Sequence, residues 1–205
     1  MKNFIEISDS EEEQVDKIKK WWNSNGKQII AGAVIGLVGV FGWNYYNDYQ
    51  DNQALNARTL YLNYAADSNN VGAYNKLIKE HPSSSYTDQA TLLMAKYLFD
   101  AGSYSLALDA IKPLISNQNS IISSTAVLRA ASIYLQLGQH DEALSTLNIE
   151  SGEGFSGLIY NLTGDVYLDL GNSDEAKKYY LLAIENITEN SNLTQLIQIK
   201  LDDLN

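Results

Sequence analysis

Residues Ala126–Leu147 read AVLRAASIYLQLGQHDEALSTL, and this stretch decides the fold. Apolar residues recur at helical spacing on either side of Gly138. A glycine there permits the left-handed backbone that ends one helix and turns the chain back. Working outward, the pattern returns as ATLLMAKYLFDAGSYSLALDAI at Ala90–Ile111 and as LIYNLTGDVYLDLGNSDEAKKYY at Leu158–Tyr180. Five residues after Gly102, Gly138 and Gly171 stand Ala107, Ala143 and Ala176, and four residues before them stand Leu98, Tyr134 and Tyr167. A degenerate copy over Asn63–Pro82 supplies Tyr64, Ala73 and Leu77, with Ser68 where glycine is expected. Three ladders follow, each with steps of 34, 36 and 33 residues: Tyr64/Leu98/Tyr134/Tyr167, Ala73/Ala107/Ala143/Ala176 and Leu77/Ile111/Leu147/Tyr180. The alanines fit where two antiparallel helices cross, because a larger side chain would push them apart.

Period and residue set resemble the tetratricopeptide repeat, whose units are helical hairpins stacked on one another. The expected fold is all-α: three clear hairpins, one degenerate hairpin, and a capping helix over Ile187–Leu204 that covers the open end of the stack.

Before the repeats lies a window without charge. Gln28–Asn47 contains no acidic or basic residue, and Ile29–Trp43 reads IIAGAVIGLVGVFGW. Twenty helical residues span about 30 Å, the thickness of a bilayer core. Trp21 and Trp22 precede the window, and Trp43, Tyr45, Tyr46 and Tyr49 close it, like two interfacial belts. No small-x-small cleavage site follows, so the segment reads as a retained transmembrane anchor rather than a signal peptide. Lys17, Lys19, Lys20 and Lys27 lie on its N-terminal side. The positive-inside rule then keeps the N-terminus in the cytoplasm and sends the repeats across the membrane. The expected domains are a cytoplasmic amphipathic stub (1–27), the anchor (28–47) and an exported repeat domain (48–205). Gly32, Gly36 and Gly39 share a small-residue face on which another membrane helix, or a second copy, can pack.

Composition excludes several functions. A net charge of −11 argues against nucleic-acid binding, which needs clustered bases. The absence of cysteine removes thiolate chemistry and disulfides. His81 and His140 are too far apart in the repeat lattice to share a metal. No P-loop or nucleophile elbow occurs. Neither catalysis nor a cofactor is expected.

The order of parts is more specific than any one of them: an acidic-then-basic stub, KKWWNSNGK (Lys19–Lys27), a glycine-rich anchor ending in GWNYYNDYQ (Gly42–Gln50), the repeats, and a closing IQIKLDDLN (Ile197–Asn205). This order resembles the ancillary SecYEG translocon subunit family, YfgM-like proteins of the bacterial inner membrane. The resemblance implies a periplasmic repeat domain beside the SecYEG channel. It also implies a PpiD-like periplasmic chaperone as partner, help to exported chains, and no enzymatic activity. Two other readings stay open: a periplasmic repeat protein coordinating envelope assembly or cell division, and a cytoplasmic stress-response regulator acting through the stub.

Repeat proteins of this kind bind peptides on the concave surface lined by the first helix of each hairpin. The corresponding positions are Leu92, Lys96 and Phe99; Leu128, Ser132 and Leu135; and Leu158, Asn161, Asp165 and Leu168. Their leucines and Phe99 form an apolar stripe suited to a partner, or to the helix that leaves the anchor. Only Lys96, with Arg129 adjacent, brings positive charge, too little to clamp a peptide carboxylate.

Overall fold

The computed structural model describes residues 11–149, 152, 154–187 and 192–204. Among them it is all-helical: α1 (Glu11–Ala66), α2 (Val71–Glu80), α3 (Ser85–Asp100), α4 (Tyr104–Ile111), α5 (Ser120–Gln136), α6 (His140–Leu147), α7 (Ser156–Asp169), α8 (Ser173–Glu185) and α9 (Asn192–Asp202). One 3-10 turn, Lys112–Ser116, carries Pro113 at its start. The chain divides into two compact units after Ala54.

In the first unit α1 has a window of mean hydropathy 1.5 with none of it buried. Ile35, Val38 and Phe41 are among its bare apolar side chains. Exposed hydrocarbon on this scale calls for lipid rather than water around it. The hydropathy boundaries at 27/28 and 47/48 fall inside this one uninterrupted helix. Trp22 folds its indole over Gly26, where an added Cβ would lie 3.1 Å from the ring.

The second unit is four stacked hairpins closed by α9. The last residues of α1 pair with α2, and α3 pairs with α4, α5 with α6, and α7 with α8. Three of the turns are alike. Gly102, Gly138 and Gly171 have φ of +73°, +68° and +73°. Each glycine N–H donates to the carbonyl three residues back, at 2.9 Å. The next N–H donates to Leu98, Tyr134 or Tyr167, at 2.8–2.9 Å. This is a Schellman motif, so the bulky ladder residue also accepts the hydrogen bond that stops its helix. The degenerate hairpin has no glycine in its turn, which side chains shape instead. Asp67 Oδ1 accepts from the Asn69 N–H at 3.0 Å, and Asn70 Oδ1 caps α2 through the Ala73 N–H at 3.2 Å.

The ladders form the core. Ala107, Ala143 and Ala176 are fully buried, as are Tyr64, Leu77, Ile111 and Tyr180. Ala57 and Tyr64 of α1 pack with Ala73, Leu77 and Ala90, which makes this end of α1 the first helix of the first hairpin. At the far end Ile197 and Leu201 of α9 pack on Ala176, Tyr180 and Ala183. The α7–α8 hairpin is the tightest. Gly157 and Gly164 lie two turns apart on α7, and a Cβ at either would run into Ile187 or Tyr180.

Candidate functional site

The first helices α3, α5 and α7 place the candidate residues along one side of the stack, where two cavities open. One, of about 280 Å3, lies between α3 and α5 and is lined by Ala95, Lys96, Phe99, Arg129, Ser132 and Ile133. The other, of about 760 Å3, lies between α5 and α7, against Leu135, Gln136, Gly138, Asp165, Leu168 and Asp169.

The individual side chains differ in role. Lys96 is exposed and holds Asp100 one turn on, at 2.5 Å. Phe99 is half-buried with its ring 5.2 Å from that of Tyr104. Leu128 and Leu135 are half-buried against the core around Ala131 and Ala143. Ser132 Oγ donates to the Leu128 carbonyl at 2.9 Å, within its own helix. Leu158 and Leu168 are exposed.

Three of the groove positions are already engaged within the fold. Leu92 is only 7% exposed and belongs to the core around Ala95 and Ala107. Its carbonyl accepts from Arg129 Nη1. Asn161 and Asp165 are held by the last helix: Lys200 Nζ donates to Asn161 Oδ1 at 3.0 Å and to Asp165 Oδ1 at 2.5 Å. Tyr180 adds its hydroxyl to Asp165 Oδ1 at 2.7 Å. The expected stripe is thus two separate cavities, with Leu92 withdrawn and Asn161 and Asp165 already partnered.

Burial lowers the pKa of the Arg129 guanidinium, and the nearby Asp100 opposes that shift. Both effects leave it a cation at the cavity wall. Burial raises the Tyr180 pKa, and its hydrogen bond to Asp165 pushes in the same direction.

Sequence reasoning missed several features. His140 Nε2 meets Asp169 Oδ2 at 2.6 Å, tying the third hairpin to the fourth. Lys200 crosses to residues 35 and 39 positions earlier, beyond any helical periodicity. Gly152–Gly157 spells G-x-G-x-x-G. Among the described residues the element before it is the helix α6, and Gly157 packs against Asn186 and Ile187. A dinucleotide fingerprint instead follows a strand and opens a helix. Among the described residues no group of three His, Asp or Glu is placed to hold a metal. On the apolar part of α1, a Cβ added at Gly32, Gly36 or Gly39 meets nothing within 4 Å, so this face is open.

The tetratricopeptide repeat-like domain family matches residues 19–205. An ancillary SecYEG translocon subunit of Aggregatibacter actinomycetemcomitans is 37% identical, over 95% of this chain and 97% of that protein. Proteins of the same name from Haemophilus influenzae and Escherichia coli are 30% and 26% identical over nearly their full lengths. Among solved structures, a tetratricopeptide repeat protein from Parabacteroides merdae matches with a TM-score of 0.56 at 18% identity, covering 75% of this chain and 60% of that one. That likeness concerns the fold alone. With the repeat turns, the apolar helix and full-length relatives in agreement, the chain belongs to the ancillary SecYEG translocon subunit family, built on a tetratricopeptide repeat-like domain.

Proposed function

We propose that this protein is a non-enzymatic adaptor of the bacterial inner membrane, held beside the Sec translocon by α1. Its repeats would lie in the periplasm and bind a PpiD-like chaperone and emerging exported chains. The observation that carries this reading is the pair of open cavities on the first-helix face. Phe99 and Ile133 offer apolar surface in one, and Leu135 and Leu168 offer it in the other. Apolar concavities with a few polar groups suit extended peptide segments. The relatives' name supplies the Sec association, and the lysines before the apolar window support an N-terminus inside the cell. The open face at Gly32, Gly36 and Gly39 suits a membrane-embedded helix of the translocon, or a second copy of this chain.

The test is photo-crosslinking from Phe99 and Leu135 in intact membranes. Products with Sec subunits, a periplasmic chaperone or nascent exported chains are expected. Their absence, with the probe incorporated and the protein membrane-bound, would remove the adaptor role.

A further inference from the structure

Another cavity shares no residue with the two on the first-helix face. It is built with the second helices α6 and α8 across α7 and holds about 410 Å3. Leu144, Leu147 and Ile159 give it an apolar base, and Tyr160, Tyr167 and Tyr179 line it. The Tyr167 and Tyr179 rings are stacked, with centroids 5.3 Å apart and planes at 11°. Tyr160 leans toward Tyr179 at 6.3 Å and 37°. All three tyrosines are half-buried, and none of their hydroxyls hydrogen-bonds to another described residue. The repeat ladder requires only Tyr167 of the three. Together they make a rigid aromatic platform with three free O–H donors.

Charge restricts the guest. Lys178 Nζ stands 5.2 Å from the Tyr179 ring centroid. It is paired with Glu175 at 2.9 Å. Lys178 is not part of the cavity lining, which carries no charged side chain, so an ionised guest would give up water without finding a counter-ion. The stacked rings also leave no slot between them, whereas crossed rings can enclose a quaternary ammonium. What fits is a neutral guest with an apolar body and unmet hydrogen-bond acceptors. A chain in the polyproline II conformation has both: it makes no internal hydrogen bonds, its carbonyls are free, and its proline rings lie flat on aromatic surfaces. We propose that this cavity docks a neutral, proline-containing extended segment of a partner protein.

The test uses the full chain in detergent micelles and capped, fluorescein-labelled peptides of equal length, read by fluorescence anisotropy. Decaproline should bind saturably. A neutral Ser/Gln peptide and a lysine-rich peptide should each bind at least tenfold more weakly. The triple variant Tyr160→Phe, Tyr167→Phe, Tyr179→Phe keeps the rings and removes the donors, and should lose about tenfold in affinity. Ser145 is exposed at the cavity edge, so Ser145→Arg obstructs it without touching the core and should weaken binding similarly. Far-UV circular dichroism confirms that both variants remain folded. No saturable binding of decaproline by the wild type would overturn the proposal. So would unchanged affinity in both variants, or a lysine-rich peptide bound as well as decaproline.

Discussion

Gly164 tests the packing directly. It sits in the middle of α7, and a Cβ there would lie 2.5 Å from Cε1 and 2.6 Å from Cδ1 of Tyr180. Both distances are below contact, so in Gly164→Ala either the ring or the helix must move. The ring has little freedom. Tyr180 is fully buried, its hydroxyl is bound to Asp165 at 2.7 Å, and Lys200 Nζ lies 5.3 Å from its centroid. Two effects oppose each other. Alanine in place of glycine inside a helix stabilises by about 0.5–1 kcal/mol through backbone entropy. Forcing a methyl into a filled helix crossing costs about 1–3 kcal/mol. The clash wins because it strikes the body of a pinned ring rather than a flexible tip, and the net loss should be about 1–2 kcal/mol. For a chain of 205 residues this lowers Tm by about 2–8 °C. The assay is thermal unfolding followed by far-UV circular dichroism on the full chain in mild detergent. Gly72→Ala is the control. Gly72 is exposed in α2, and the nearest atom to a new Cβ is Asn70 Oδ1 at 3.6 Å, so only the entropic gain applies and Tm should hold or rise. A Gly164→Ala protein as stable as the wild type would show that α7 and α8 are not packed this closely.

Other outcomes follow from the same contacts. Ala143 is fully buried at its helix crossing, and Ala143→Leu should cost about 1–3 kcal/mol, read as a lower urea midpoint. Because the folded pKa of Tyr180 lies above the ordinary tyrosine value, its contribution is complete below that value and is lost as pH rises past it. The wild-type Tm should therefore fall more steeply than that of Tyr180→Phe above pH ~10; parallel curves would assign the alkaline loss to other groups. Replacing Lys17, Lys19, Lys20 and Lys27 together by Gln should give a mixed orientation, detected by a reporter fused at the C-terminus. A reporter still wholly periplasmic would mean that these charges do not set the topology.

The hairpins are legible in the sequence because they depend on local chemistry repeated at a fixed period. Gly102, Gly138 and Gly171 end their helices with the same left-handed turn, and the alanine five residues later is fully buried each time. The groove is less legible because register treats equivalent positions as equal, whereas the following helix decides what each one touches. Leu92 on α3, Leu128 on α5 and Asn161 on α7 occupy one register position. Arg129 reaches Leu92 from α5, and Lys200 reaches Asn161 from α9. In the middle step, Leu162 packs into the same core as Leu128. The environment of each position is thus written roughly one repeat later in the chain.

That rule also explains α9. Its Lys200 contacts the preceding first helix much as Arg129 does, while its Ile197 and Leu201 cover Tyr180 and Ala183. It therefore packs on the last hairpin in the place that a first helix takes on the hairpin before it. A terminal helix in this role must shield the last apolar ladder and satisfy the polar groups left on α7. Lys200 performs the second task. It places a cation within 2.5 Å of Asp165 and over the Tyr180 ring, which leaves Asp169 to His140. Lys200 thus adds a polar tie to the apolar closure of the stack, and the acidic positions Asp165 and Asp169 of the last hairpin are partnered within the fold.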